Sequence, residues 1–293
     1  MLIDRIDHVV LPVLDLAAAT EPFERLGLTL SAPSKHAGQG TENRALFAGD
    51  VANQFFVEFL AVHDEAEATA AGREGYLRAA QQAVGLNRLV LGTQQLAKVR
   101  SLLEQAGVTA EPYAVFNAVG EKVCEVLPLG ADRDLLGCRA AVIQYEGKIE
   151  ERFARREANG LLAHSLPIKR LDHLAMIAPE AEVTERFWLE VLGIAVSGEV
   201  KGRGMVIRQL TIGDAILELL VPQSAESPLH QRPAGLISMC AYEVDDLDTA
   251  ARLANDRGFT CSAPADGVLP GTRVATIPGP QLSGLSLQLL EYV

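Results

Sequence analysis

Four cysteines in 293 residues, with no Cys-x-x-Cys pair among them, supply neither a disulfide framework nor a thiolate zinc site. Cys124, Cys138, Cys240 and Cys261 are expected as reduced core residues. No apolar run approaches the ~20 residues of a spanning helix. Met1 leads into Leu-Ile-Asp-Arg without the zones of a signal peptide, so the expectation is a cytoplasmic chain with no membrane partner. Basic residues are also scarce, 26 Lys and Arg against 38 Asp and Glu. A net charge of −12 repels polyanions, and nucleic acid is not an expected partner. A small anion stays compatible, because whole-chain charge does not fix the field inside a cleft. Gly-x-Ser-x-Gly, Gly-x-x-x-x-Gly-Lys and His-Glu-x-x-His are all missing, which removes support for hydrolase and nucleotide-phosphate readings.

What is present is an internal repeat. Hydrophobic residues at 48% and charged ones at 22% describe a globular chain, and its length favours two domains of ~100 to 200 residues. Ile3-Asp4-Arg5-Ile6-Asp7-His8 recurs as Ile168-Lys169-Arg170-Leu171-Asp172-His173, an offset of 165 residues (173 − 8). Each copy continues as an apolar run, Val9-Val10-Leu11 or Leu174-Ala175-Met176, of the kind expected for a buried strand.

After each strand the spacing predicts a helix, Leu16 to Leu26 and Ala181 to Leu192, closed by Gly27 and Gly193. Strand patterns follow at Arg44 to Phe47, Gln54 to Val62, Met205 to Ile212 and Ala215 to Val221, split by Gly49-Asp50 and Gly213-Asp214 turns. The scheme restarts within each half. Leu86 to Leu91, the helix Leu96 to Gln105, and strands at Val115 to Ala118, Lys122 to Leu127 and Arg139 to Tyr145 form one restart. Ile237 to Val244, the helix Leu247 to Arg257, Arg273 to Ile277 and Leu285 to Leu290 form the other. The expected class is α+β: four βαβββ units in two domains, 1–146 and 168–293. Residues 147–167 between them are charged, of helical pattern and closed by Pro167, and read as a solvated linker helix.

Four such units with a histidine in the opening strand resemble the vicinal-oxygen-chelate superfamily of glyoxalases, methylmalonyl-CoA epimerases, extradiol dioxygenases and fosfomycin or bleomycin resistance proteins. The N-terminal half is similar to the glyoxalase-like group through His8-Val9-Val10-Leu11, Gly40 to Arg44 and Phe56 to Val62. The C-terminal half is similar to the epimerase and glyoxalase branch through Phe187 to Gly193, Ile212-Gly213-Asp214, Leu217 to Leu220, Glu243 to Leu247 and Gly271 to Ala275. The resemblance implies cupped mixed sheets, each made from two neighbouring units, with a divalent metal (Zn, Ni, Co, Mn or Fe) on the concave face.

Carried over residue by residue, the resemblance makes His8 and Glu58, and His173 and Glu218, metal ligands, with Gln144 and Gln288 in the fourth places. The third places fall to Arg88 and Met239, neither an ordinary ligand for a hard metal. An amide is no base near neutral pH, so Glu58 or Glu218 would move protons. Arg88, Asn43 and Arg44 are expected to bind substrate, with Lys35 and His36 as further lining residues; Arg88 could instead bridge to Glu58. A bolder pairing of unit one with unit three would unite His8, Glu58, His173 and Glu218 in one site. His63, His164 and His230 read as solvated. The leading expectation is a metal-dependent isomerase or lyase for a small carbonyl or carboxylate compound. The alternatives are a metal-free binding protein of the resistance type and an extradiol dioxygenase, and the sequence admits a homodimer.

Overall fold

The computed structural model describes residues 1–117, 119–129, 137–178, 180–202, 204–225, 227 and 229–293. The first half runs β1 (Arg5–Pro12), α1 (Leu16–Arg25), β2 (Ser34–His36), β3 (Thr41–Ala48), β4 (Phe55–Val62), α2 (Glu65–Ala70), α3 (Glu74–Gln81), β5 (Arg88–Gly92), α4 (Leu96–Gln105), β6 (Tyr113–Phe116), β7 (Lys122–Pro128) and β8 (Ala140–Tyr145). Helix α5 (Ile149–Ala158) follows. The second half runs β9 (Ile168–Ile177), α6 (Ala181–Glu190), β10 (Val196–Gly202), β11 (Met205–Ile212), β12 (Ala215–Pro222), β13 (Gly235–Val244), α7 (Leu247–Asp256), β14 (Ala265–Asp266), β15 (Thr272–Ile277), a 3-10 turn at Gly279–Gln281 and β16 (Ser286–Tyr292). Ala118, at the end of the strand expected over 115–118, lies outside the described residues.

The two halves form separate eight-stranded mixed sheets of one topology, β2-β3-β4-β1-β5-β8-β7-β6 and β10-β11-β12-β9-β13-β16-β15-β14. Neighbouring units join through their opening strands, β1 antiparallel to β5 and β9 antiparallel to β13. Units one and three therefore do not share a sheet, and the two His–Glu pairs lie in different cups. Strand alternation divides the side chains of each sheet between two faces. Val9 and Leu11 of β1, Val57 and Phe59 of β4 and Leu89 and Leu91 of β5 face the helices, while Val10, Leu60 and Val90 form a smaller cluster on the concave side. The outward-facing residues of both sheets merge into one continuous core, in which Trp188 and Tyr242 are the largest wholly buried side chains.

Local chemistry starts the helices. Asp15 Oδ1 accepts from the Ala18 amide at 2.9 Å, Asp64 Oδ1 from Glu67 at 2.9 Å, and Asp246 Oδ1 from Thr249 at 2.9 Å. Each opening strand also carries an irregularity. Pairing slips between Ile6 and His8 on β1, and between Leu171 and His173 on β9, so Asp7 and Asp172 are extra residues of two β-bulges.

Helix α5 lies in the segment read as a linker helix and is only partly solvated. It buries no residue completely, yet the Arg152 guanidinium lies 4.2 Å from the centre of the Tyr145 ring and that of Arg156 4.4 Å from Phe47. Arg156 also donates to Gln54 Oε1 at 2.9 Å. The long arginine stems cover the flank of the first sheet while the chain crosses to the second. His164 is corrected: its Nδ1 accepts from the Thr29 amide at 3.0 Å and its Nε2 meets the Phe47 carbonyl at 2.8 Å. His63 and His230 are exposed, as expected, and all four cysteines are buried.

Candidate functional site

The concave face of the first sheet encloses a cavity of about 590 Å³, within the range of small-molecule sites. His8 and Glu58 stand side by side on it, because parallel pairing of β1 with β4 sets His8 opposite Phe56 and Val10 opposite Glu58. His8 stacks on Phe56 with ring centres 4.4 Å apart. Its Nδ1 meets Asp7 Oδ1 at 2.7 Å. An ionised carboxylate only accepts, so Nδ1 carries the proton and Nε2 faces the cup. Nε2 is 3.9 Å from Glu58 Oε2, too far for a hydrogen bond, so each group keeps a face free. Glu58 Oε1 accepts from Asn43 Nδ2 at 2.6 Å and has His36 Nε2 at 3.8 Å.

Beneath His8 lies a buried charge cluster. Asp7 receives Arg5 Nε at 3.0 Å and the Tyr145 hydroxyl at 2.9 Å. Burial pushes the Asp7 carboxyl up, but the Arg5 guanidinium and the His8 hydrogen bond outweigh it and hold Asp7 well below the usual carboxylate range. Burial and the Asp7 charge push the Tyr145 phenol well above its ordinary value. Burial likewise pushes the Cys124 thiol in the cavity wall up to about 12, so it is no ready nucleophile.

The second cup repeats this frame around a cavity of about 220 Å³. His173 Nδ1 meets Asp172 Oδ1 at 2.7 Å, Nε2 lies 3.9 Å from Glu218 Oε2, and the Tyr292 hydroxyl donates to Asp172 Oδ2 at 2.6 Å. Gln209 Nε2 reaches Glu218 Oε1 at 3.3 Å, as Asn43 reaches Glu58. Burial lowers the affinity of His173 for a proton, but the Asp172 hydrogen bond and the Glu218 charge raise it more, leaving its pKa above the ordinary value. For Asp172, burial acts upward, and the hydrogen bonds from His173 and Tyr292 bring the pKa below normal.

Strand pairing fixes what stands in the remaining two places of each cup. The two-fold relation between β1 and β5 carries His8 onto Arg88 and Glu58 onto Ala141. In the second cup it carries His173 onto Met239 and Glu218 onto Gln288. Gln288 and Met239 do line the second cavity. Gln144 does not line the first. It sits three residues beyond Ala141 on β8, hence on the opposite face, and its Oε1 accepts from the Leu96 amide at 2.8 Å at the start of α4. Arg44 is corrected for the same reason. Asn43 faces the cup, so its neighbour faces out, where Arg44 donates to Ser31 O and Thr20 Oγ1 at 2.8 Å and pairs with Glu24. Asn43 acts on Glu58, and Lys35 and His36 line the cavity as expected.

Arg88 also lines it, with no ion pair to Glu58; its guanidinium lies 5.5 Å from the Tyr76 ring centre. The first cup is a poor fit for the metal that the resemblance implies, since a permanent cation and an alanine occupy two of the four places. His8 and His36 flank opposite oxygens of Glu58. Among the described residues no three His, Cys, Asp or Glu side chains gather to hold an ion. The second cup offers one imidazole nitrogen, one carboxylate and one amide oxygen, a set a divalent ion accepts, beside a thioether it does not favour.

Sequence reasoning passed over Asp7, Asp172, Tyr145, Tyr292, Gln209, Arg73 and Tyr76. The two aspartates were signalled by the repeat itself, which preserves Asp-His and not His alone. The two tyrosines close the last strand of each half.

A family model described as "Glyoxalase-like domain" matches residues 6–192, and one described as "Glyoxalase/Bleomycin resistance protein/Dioxygenase superfamily" matches residues 172–276. The mitochondrial methylmalonyl-CoA epimerase of Mus musculus is 32% identical over 87 residues, covering 28% of this chain and 49% of that protein. The match thus spans about half the length of that relative. A hypothetical protein from Staphylococcus aureus superposes with a TM-score of 0.64 at 12% identity, covering 98% of this chain and 99% of that one. A mutant 4-hydroxymandelate synthase from Streptomyces coelicolor superposes with a TM-score of 0.61 at 14% identity, covering 100% of this chain and 93% of that one. These two likenesses bear on the fold alone. No helix among the described residues is long and apolar enough to cross a membrane.

Proposed function

The chain belongs to the glyoxalase-like domain family, and from that premise we propose that its first cup is an isomerase or lyase site for a small carboxylate-bearing carbonyl compound, working by proton transfer without a metal. One observation supports this reading: a proton-transfer pair, His8 and Glu58, shares a single cavity with Arg88, which stands in a ligand place and forms no ion pair among the described residues. Arg88 offers a planar fork of donors to the substrate carboxylate. Glu58, held by Asn43, takes a proton from the carbon next to the carbonyl: the C–H bond breaks, an O–H bond forms on Glu58, and the electron pair moves to the carbonyl oxygen. His8 presents Nε2 as the second proton-transfer position, and Asp7 fixes the ring through Nδ1 as the buried partner of a triad does. The aromatic wall of Phe56, Tyr76, Tyr113 and Tyr145 limits water in the cavity.

The test is solvent exchange in D₂O with excess EDTA, using a panel of 2-oxo acids and following the C–H protons by NMR. Enzyme-dependent exchange that falls at least about 100-fold in Glu58→Gln and in Arg88→Met supports the reading. Exchange that appears only on adding a divalent ion and survives Arg88→Met overturns it.

A second reading belongs to the second cup, where no fixed cation intrudes and the free Nε2 of an Asp172-supported His173 joins Glu218 and Gln288. Those three residues would hold a divalent ion, whose contribution would be to polarise a carbonyl or enolate oxygen. Metal analysis of protein prepared without chelator, compared with His173→Ala, tests it; equal metal content in the two would sink it.

A further inference from the structure

Two arginines line the first cavity, and neither guanidinium has an acceptor among the described residues. Arg88 comes from β5. Arg73 comes from the turn between α2 and α3, which no element matches among the described residues between β12 and β13 of the second half. Each guanidinium lies against a tyrosine, Arg73 4.5 Å from the centre of Tyr113 and Arg88 5.5 Å from that of Tyr76. In each the Nε is buried without a hydrogen-bond partner, and among the described residues neither side chain enters an ion pair. Tyr76 follows Arg73 by three residues, so both lie on one face of the α3 start. Both arginine charges act on the Tyr76 phenol, whose pKa burial raises and the two guanidiniums lower. The two cations therefore stand in one pocket, each against its own tyrosine.

Unpartnered buried donors are uncommon in folded proteins, and charged ones cost most. Stacking on a ring uses the face of a guanidinium and leaves its edge N–H groups for an anion. A chain with a net charge of −12 has carboxylates in excess to neutralise both, yet among the described residues none pairs with either, Glu58 in the same cavity being held by Asn43 instead.

We propose that the ligand of the first cup is a dianion with two separated acidic groups, one held by Arg88 and the other by Arg73, and with an apolar body against Tyr76 and Tyr113. The α2–α3 pair is then the specificity element that distinguishes this cup from the second. This inference rests on the anion reading of the first cup and extends it from one acidic group to two.

Calorimetric titration of the full chain with benzoate, isophthalate and phenyl phosphate, in excess EDTA, tests the proposal. A charge-assisted hydrogen bond is worth roughly tenfold or more in affinity. Isophthalate is expected to bind at least about tenfold more tightly than benzoate to the natural protein. Arg73→Met abolishes that preference and keeps benzoate binding, Arg73→Lys restores part of it, and Arg88→Met weakens both ligands. Matching melting temperatures of the ligand-free variants establish that they are folded. Equal affinity for benzoate and isophthalate, unchanged in Arg73→Met, overturns the dianion proposal and leaves the anion reading standing. Phenyl phosphate gaining tenfold through both arginines would show that they converge on one group, which also overturns it. Binding of none of the three removes both readings.

Discussion

The internal repeat supplies its own control for the charge cluster under His8, through Asp7→Asn compared with Asp172→Asn. Both aspartates are 2% exposed, and each accepts from a histidine Nδ1 and a tyrosine hydroxyl. The difference lies in what else each one neutralises. Asp7 faces Arg5, also 2% exposed, with Nη2 at 2.9 Å, whereas Arg170 near Asp172 is already paired with Glu243 at 2.6 Å. Removing one partner of a buried ion pair costs about 3 to 5 kcal/mol. Asp4 stays beside Arg5, which puts Asp7→Asn at the low end, about 3 kcal/mol. Asp172→Asn weakens two charge-assisted hydrogen bonds, about 1 to 2 kcal/mol. Urea denaturation at pH 7 with matched slopes reads the difference as a gap in midpoint. The double variant Arg5→Met/Asp7→Asn is expected to recover about 2 kcal/mol relative to the sum of the singles. Acid titration gives a second reading. The Asp7 pKa is lower folded than unfolded, so its contribution is present above about pH 4 and is lost as the pH falls below that. In Asp7→Asn this acid limb of the stability curve flattens. Equal midpoints for the two Asn variants, or strict additivity with Arg5→Met, would refute the argument.

Three further residues give measurable outcomes. Gln144→Leu leaves the Leu96 amide without its acceptor and is expected to cost about 1 to 2 kcal/mol, with ligand affinity in the first cup unchanged by calorimetry. Burial lowers the His164 pKa below its ordinary 6.5, only partly offset by the Phe47 carbonyl, so its contribution is present above about pH 6.5 and is lost as the pH falls through that value. The difference in denaturation midpoint between the natural protein and His164→Ala should therefore shrink from pH 8 to pH 5. Trp188→Ala, at a wholly buried site, should cost about 3 to 5 kcal/mol and lower the thermal midpoint.

The sequence made the architecture readable because the repeated hexapeptide sets register and strand order together. Helices at 96–105 and strands at 205–212 fall where their periodicity places them. Helices α2 and α3 were missed although Asp64 and Glu67 form a capping signal, because their apolar stripe is short and alanine-rich. The site was readable in its first two positions and not in its last. Gln144 and Gln288 were both expected in fourth places, whereas the ladder aligns Gln288 with Ala141. Asn43 and Arg44 were assigned together to one pocket, although within β3 alternation turns Arg44 to the other face, where it bonds Ser31 and Thr20. What one sequence could not supply was tertiary: the bulge that brings Asp7 beside His8, and the turn that brings Arg73 over the cavity.

The continuous core behind the two sheets bears on how such a chain can change over generations. Phe55 and Tyr242 meet with ring centres 6.2 Å apart, the Leu86 amide donates to Ser238 Oγ at 2.9 Å, and Asn53 Nδ2 reaches the Leu171 carbonyl at 3.1 Å. Each half is thus ballast for the other. A cup relieved of chemistry still has to be kept, because deleting it would strip the back of its twin. Its concave face is then free to differ, and two cups of one topology can hold an arginine in one and a methionine in the other on a shared core.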